Sequence, residues 1–246
     1  MKKSPQLTTL CLTMLWSAFF ATPALANHDD QPDDWELSAS RLIYNEGEGT
    51  ASFWLTSHSD LPWVVTGAVF TTNTIGEPLD RVSSLFLLNP PMAVIPPNGR
   101  KAFRLVWIGQ PNVLGKDKEI LERLRLRLIP SVEAPKSGES TMQISATVWV
   151  KIFARSTSLV TKDSLTNVSL SINCGQNTAV VHNPSPYWLL TLRSLKSDNV
   201  ELINPALPAP LLRPLGELSV SARQCRAPWK ASVINDDGFS KEVPIQ

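Results

Sequence analysis

The sequence predicts an all-β protein made of two antiparallel sandwiches of the immunoglobulin type, and three observations carry that reading. Short runs rich in β-branched and aromatic residues recur along most of the chain, each bounded by Gly, Pro, Asn or Asp. No segment sustains a helical period with capping residues at its ends. Residues 27–246, which follow an export signal, number 220, whereas one such sandwich needs only about 100 residues.

The export signal comes first in the chain. Lys2 and Lys3 form a basic start, residues 7–21 are apolar, and Ala24-Leu25-Ala26 is a small-residue cleavage site, so residues 1–26 are expected to be a signal peptide cut after Ala26. The apolar run is shorter than the roughly 20 residues that span a bilayer, and Asp29 and Asp30 follow at once, so no membrane insertion is expected. Loss of Lys2 and Lys3 leaves 21 basic against 22 acidic residues. With 43% hydrophobic and 18% charged residues, the chain is neither a disordered polyelectrolyte nor a general nucleic-acid binder.

Strands are expected at residues 50–57, 63–70, 102–108, 123–129 and 142–153, with Arg41 in a first strand before them. In Arg123-Leu124-Arg125-Leu126-Arg127-Leu128 the leucines share one face and the arginines the other, because a strand has period two. The arginine face reads as solvated surface, or as a site for an anionic partner. Met142, Ile144, Ala146, Val148 and Val150 likewise share a face. The pattern breaks at Ser156-Thr157-Ser158, which sets the expected boundary between a domain over 27–155 and a domain over 156–246. A second series follows at 169–172, 178–182, 188–195, 217–222 and 229–234.

Few residues offer chemistry. Cys11 leaves with the signal, and in an oxidising compartment the isolated pair Cys174 and Cys225 reads as a disulfide. A redox site would prefer Cys-x-x-Cys, and a metal site would want more ligands at short spacing. His28, His58 and His182 are dispersed, so no metal is expected. Gly109 to Lys116 fails as a phosphate loop, with five residues between its glycines and Asp117 where Ser or Thr should follow. No cofactor and no enzymatic activity are expected, although a hydrolase with a histidine assembled in space stays open as an alternative.

Several motifs, in order along the chain, carry a resemblance. They are Arg41-Leu42-Ile43-Tyr44-Asn45-Glu46-Gly47, Asn89-Pro90-Pro91-Met92-Ala93-Val94-Ile95-Pro96, Phe103-Arg104-Leu105-Val106, and Leu114-Gly115-Lys116-Asp117-Lys118-Glu119. Lys151-Ile152-Phe153-Ala154-Arg155, Asn183-Pro184-Ser185-Pro186-Tyr187-Trp188 and Ile234-Asn235-Asp236-Asp237-Gly238 complete them. Together they resemble the PapD-like periplasmic chaperones of the chaperone-usher pilus pathway.

The resemblance implies two sandwiches set at an angle around a cleft, a periplasmic location, and pilus or fimbrial subunits and an outer-membrane usher as partners. Arg41 and Lys151 would anchor the C-terminal carboxylate of a subunit. Met142, Ile144, Ala146 and Val148 would belong to a strand lent to a subunit that lacks its own last strand. Without the resemblance, the same residues would simply face their own core. Glu119, Arg155 and Asp236 would form an ionic network between the domains, and the exposed strands would allow a self-capping dimer. Against this stands an exported two-domain adhesin or binding module, in which Arg41 and Lys151 have no special role.

The chain also departs from the family. Glu122, Arg123 and Arg125 stand where aromatic residues and Asn are usual, and Ala154 and Ser156 replace an aromatic residue and Pro. Ala146 is small for a donated residue. The short segment 131–140 resembles the branch of the family that serves rod-like pili.

Overall fold

The computed structural model describes residues 35–110, 113–114, 119–131, 144–160, 169–222 and 225–245. The expected signal segment and Met142 lie outside them. The first ten strands are β1 (Trp35–Leu37), β2 (Arg41–Asn45), β3 (Thr50–Ser57), β4 (Trp63–Thr72), β5 (Pro78–Val82), β6 (Phe86–Asn89), β7 (Met92–Ile95), β8 (Arg100–Trp107), β9 (Ile120–Pro130) and β10 (Ala146–Arg155). They form a sheet of order β1-β3-β8-β6 and a second of order β2-β10-β9-β4-β5, with β7 also on β4.

The period-two pattern of β9 explains how the sheets meet. Leu124, Leu126 and Leu128 point inward and are fully buried, against Phe53, Leu55, Phe86, Phe103 and Leu105 from the facing sheet. Phe53 and Phe103 stack at 5.5 Å, and Tyr44 packs on Phe86 and Trp107. Each such side chain contributes about 1.5–3 kcal/mol by leaving water. The chain crosses between sheets after Leu37: β1 pairs antiparallel with β3, whereas β2 pairs parallel with β10. That parallel pair begins at Arg41 opposite Lys151 and ends at Asn45 opposite Arg155.

One helical turn, α1 (Thr157–Val160), stands where the sequence predicts only an interruption. Glu46 accepts hydrogen bonds from the Thr157 amide and hydroxyl, which holds the turn, and Leu159 is buried in a second core. That core belongs to β11 (Ser171–Cys174), β12 (Thr178–His182), β13 (Leu190–Ser197), β14 (Val200–Glu201), β15 (Leu211–Leu212), β16 (Glu217–Ser221), β17 (Trp229–Ile234) and β18 (Ser240–Val243). Their sheets run β11-β12-β16 and β14-β13-β17-β18, with β15 on β13. Leu190, Leu192, Leu195, Val181 and Val233 fill the space between them.

The expected pairing of Cys174 with Cys225 is present, with a Cα separation of 5.8 Å. Closing a loop with a sequence separation of 51 stabilises this sandwich by about 4 kcal/mol on the chain-entropy model. Three strands begin later than the sequence predicts: β10 at Ala146 rather than 142, β11 at Ser171 rather than 169, and β13 at Leu190 rather than 188. The buried Asn183 amide donates to the carbonyls of Trp188 and Arg213, which ties the Pro-rich approach into a turn.

Candidate functional site

The outer face of the β2-β10-β9-β4 sheet carries the residues of interest. Core and outer side chains alternate along each strand, so Leu121, Arg123 and Arg125 of β9 share this face with Trp149, Lys151 and Phe153 of β10 and with Arg41 and Ile43 of β2. Register then arranges them in rows across the sheet. Ile43, Phe153 and Leu121 form one row, and Arg41, Lys151 and Arg123 form the next. Trp149 and Arg125 follow.

The apolar row is where the second sandwich docks. Leu121 and Phe153 are buried against Leu189, with Ile43 and Leu211 packed around them. Beside this contact Arg155 donates from Nε to Glu119 Oε1 at 2.6 Å and from its two Nη atoms to the carboxylate of Asp236, each at 2.6 Å. The other oxygen of Glu119 accepts the Leu189 amide at 2.9 Å, and the Arg155 guanidinium stands 4.9 Å from the Trp188 ring. Glu119, Arg155 and Asp236, spread widely along the chain, therefore meet. Burial pushes the Glu119 carboxyl up from its usual range, opposed by the charge and hydrogen bond of Arg155 and by the Leu189 amide. Burial lowers Arg155, but the bonds to Asp236 and the charge of Glu119 outweigh it and leave the guanidinium more strongly charged.

The row of cations has no such partners. Arg41 is 7% exposed, donates from Nη1 to the Ile234 carbonyl at 3.0 Å, and lies 5.1 Å from the Phe153 ring. Its buried Nε has no hydrogen-bond partner among the described residues. Half-buried Lys151 is likewise in no ion pair among those residues, whose acidic groups pair only with Arg155 and His58. Burial lowers the Lys151 ammonium to about 8, and the charges of Arg123 and Arg41 act in the same direction. These cations stand close together and partly shielded from water, in no ion pair among the described residues, although the charges of Asp236 and Glu119 reach Arg41 and that of Glu77 reaches Arg123.

The third part of the site is a strand edge. β9 pairs with β10 from Ala146 to Ala154, but β2 covers only Lys151 to Arg155 on the other side. Among the described residues no strand pairs with Ala146 to Val150 on that edge. Ile144 is 70% exposed and Val148 36%, and Ala146 is exposed too, whereas Val150 on the same face is buried. Ala146 and Val148 thus continue the apolar face of β10 beyond the end of the core, and Ile144 stands exposed just before the strand begins.

Some participants escape sequence reasoning. Arg125 does not simply face solvent: it lies 4.4 Å from the Phe70 ring and 5.9 Å from Trp149. Arg123 is half-buried and donates to the Gly76 carbonyl at 3.0 Å. Arg213 of the second sandwich grips the same β4–β5 turn through the Asn73 and Thr74 carbonyls. The strict Arg-Leu alternation signals a two-faced strand, but not which arginines a neighbour covers. Among the described residues no group of His, Cys, Asp and Glu could hold a metal, and no helix is long and apolar enough to cross a membrane.

Comparison with known proteins places this geometry in context. The family described as "Pili and flagellar-assembly chaperone, PapD N-terminal domain" matches residues 35–160. The probable fimbrial chaperone protein ElfD of Escherichia coli K12 is 32% identical over 161 residues, 65% of this chain and 65% of that protein. The probable fimbrial chaperone SfmC of the same strain is 27% identical over 176 residues, 71% of this chain and 72% of its own. The match to ElfD thus spans just under two thirds of its length. Among solved structures, the E. coli chaperone DraB covers 85% of this chain and 96% of its own with a TM-score of 0.68 at 18% identity. The Salmonella enterica complex of SafA pilin with the SafB chaperone gives a TM-score of 0.68 at 20% identity, covering 84% of this chain and 92% of the matched one. At these identities the solved structures establish the two-sandwich fold.

Proposed function

This chain belongs to the pili and flagellar-assembly chaperone family, and we propose that it is a periplasmic chaperone of fimbrial subunits in the chaperone-usher pathway. It is exported by a signal peptide cut after Ala26, works as two domains over 27–155 and 156–246, and hands its cargo to an outer-membrane usher. The family is not an enzymatic one.

The observation that carries the reading is the bare edge of β10 ending in cations. A strand seated on that edge would satisfy its backbone groups and meet Ile144, Ala146 and Val148 with its own apolar side. β2 blocks the edge from Arg41 onward, so the visiting strand must stop there, at Arg41 and Lys151. A chain running antiparallel to β10 would bring its N-terminal ammonium to these cations, and one running parallel brings its carboxylate. Charge therefore selects the parallel direction. Fixing the end of the strand also fixes its register, because a slip of one residue would turn every side chain to the wrong face.

Met142 would extend the donated face. The same edge, left empty, would allow two copies to cap each other. The Glu119–Arg155–Asp236 network would hold the two sandwiches in their working orientation, a role that suits a buried charged cluster better than stability does.

Co-expression with a fimbrial subunit in a bacterial periplasm tests this function. Wild type should protect the subunit and co-purify with it, while Arg41→Ala and Lys151→Ala should each lose most of the recovered complex. Equal recovery with all three would refute the reading.

A further inference from the structure

The two sandwiches have a second point of attachment, away from Arg155. It is the β4–β5 turn of the first sandwich, which is built to a fixed shape. Asn73 Oδ1 accepts the Ile75 and Glu77 amides at 3.0 and 2.9 Å, and the Asn73 carbonyl accepts the Gly76 amide at 3.2 Å. Strand β9 ties the turn down as well. The Thr72 hydroxyl donates to the Leu121 carbonyl at 2.8 Å, and Arg123 Nε donates to the Gly76 carbonyl at 3.0 Å. Gly76 is buried at φ +83°, where a Cβ would come to 3.0 Å from both Leu121 and Leu211 of the second sandwich.

The second sandwich meets this turn with Arg213, whose backbone is itself held. Arg213 lies between Pro210 and Pro214, and its carbonyl accepts the Asn183 side-chain amide and the Gly216 amide, each at 2.9 Å. Its Nη2 donates to the Asn73 carbonyl at 2.7 Å, and its Nε donates to the Thr74 carbonyl. A planar charged donor bonded to two carbonyls of one turn fixes direction as well as distance.

Placement along the sheet gives this contact its effect. The apolar row of Ile43, Phe153 and Leu121 ends at β9, and the Arg213 contact extends the interface past it. From Arg155 on β10 to the turn after β4 is at least two strand spacings, about 10 Å. Two attachments at that separation oppose a rocking of the second sandwich that one alone would permit. Such rocking would reach the anchor directly, because Arg41 Nη1 donates to the Ile234 carbonyl of the second sandwich, two residues before Asp236.

We propose that Arg213 is a positioning residue for subunit capture: its grip on the β4–β5 turn completes the alignment that Arg155 begins, and so keeps the Ile234 carbonyl where it orients Arg41 for a subunit's terminal carboxylate. The inference rests on the reading of Arg41 as part of the terminus anchor. Without the grip, both sandwiches stay folded and the Glu119–Arg155–Asp236 network stays formed, but the angle between them spreads.

Spin labels on the full exported chain test this, at Ser52→Cys in the first sandwich and Lys230→Cys in the second, both exposed positions. Pulsed electron paramagnetic resonance should give one narrow distance distribution, and Arg213→Ala should widen it about twofold. At equal amounts of folded chain, the same variant should recover about three- to tenfold less co-purified fimbrial subunit. Arg213→Lys, which keeps a charged donor for one of the two carbonyls, should restore much of both. Asn73→Ala loosens the turn from the other side and should reproduce both losses with Arg213 intact. An unchanged distance distribution in Arg213→Ala would overturn the grip, and a widened one with full subunit recovery would overturn the positioning role. Arg41→Ala is measured beside them: if it loses the subunit while Arg213→Ala keeps it, only this inference fails. If Arg41→Ala captures the subunit as wild type does, the anchor reading fails and this inference fails with it.

Discussion

Lys151 and Arg155 stand on the same strand and the same face, four residues apart, and the protein treats them in opposite ways. Arg155 is matched by two carboxylates, one from each side of the contact between the sandwiches. Lys151 is flanked by Arg41 and Arg123 and has no acidic partner among the described residues. A buried cation that is satisfied belongs to the architecture. In the proposed function, one that lacks an ion-pair partner at the head of an unpaired strand edge receives the subunit's carboxylate. The difference lies in neighbours contributed by other strands and not in the local sequence.

Breaking the satisfied group should have the largest effect. Arg155→Ala leaves the Glu119 carboxylate buried without its counter-ion, and removal of one partner from a buried pair costs about 3–5 kcal/mol. Chemical denaturation should show that loss, and small-angle scattering should show a changed relation between the sandwiches. An unchanged scattering profile and unchanged subunit binding would remove Arg155 from the orienting role.

The unsatisfied group should respond the other way. Arg41→Ala or Lys151→Ala should reduce co-purified subunit by tenfold or more, the order expected for a lost charge-assisted contact, while the free energy of unfolding falls by less than it does for Arg155→Ala. A variant of either residue that unfolds like Arg155→Ala would erase the distinction.

The pH dependence of subunit binding sharpens it further. Lys151 titrates at about 8 in the free chain, and a bound carboxylate favours its charged form, so affinity should be steady below pH 8. Above that it should fall by up to about tenfold per pH unit, the limit for one linked proton, until the pKa of the complex is reached. A flat profile between pH 7 and 9.5 would mean that Lys151 does not hold the terminus.

An effect on stability alone belongs to a third buried charge, Glu122, which stands beside these rows on the opposite, core face of β9. It is 3% exposed, one of its oxygens lacks a partner, and burial raises its pKa to about 7 against a hydrogen bond from Ser83. Between about 4.5 and 7 the folded chain holds a proton that the unfolded chain has released, so this group lowers stability as pH rises through that window and is level above it. Glu122→Gln should gain on the order of 2 kcal/mol at pH 8 and nothing near pH 4.5. An equal gain at both values would show that packing, and not charge, is responsible.

Much of the fold is legible in the sequence because period-two alternation is a local signal. The Arg-Leu strand, the runs at 50–57, 178–182 and 229–234, and the disulfide between Cys174 and Cys225 all follow from it or from composition. Short or polar strands such as β5, β14 and β15 do not, since neighbours and not side chains define them. Arg41, Lys151, Glu119, Arg155 and Asp236 became visible as a group through the ordered motifs, because no local rule links residues so far apart. The resemblance could not indicate that Arg123 joins Arg41 and Lys151, because this chain departs from the family there. Ile144 and Val148 form the opposite case: their alternation fits a buried strand as well as a donated one, and what favours the proposed donation is their exposure, together with the absence of β2 beside Val148.

Hydrogen exchange of the 144–150 backbone, in the free chain and in complex with a fimbrial subunit, tests most directly that β10 is lent through its bare edge. Amides of this stretch that exchange fast in the free chain should become strongly protected in the complex, with protection ending at Lys151, where β2 already covers the strand. Unchanged exchange across 144–150 in a stable complex would contradict the account, because the subunit would then be held by another surface.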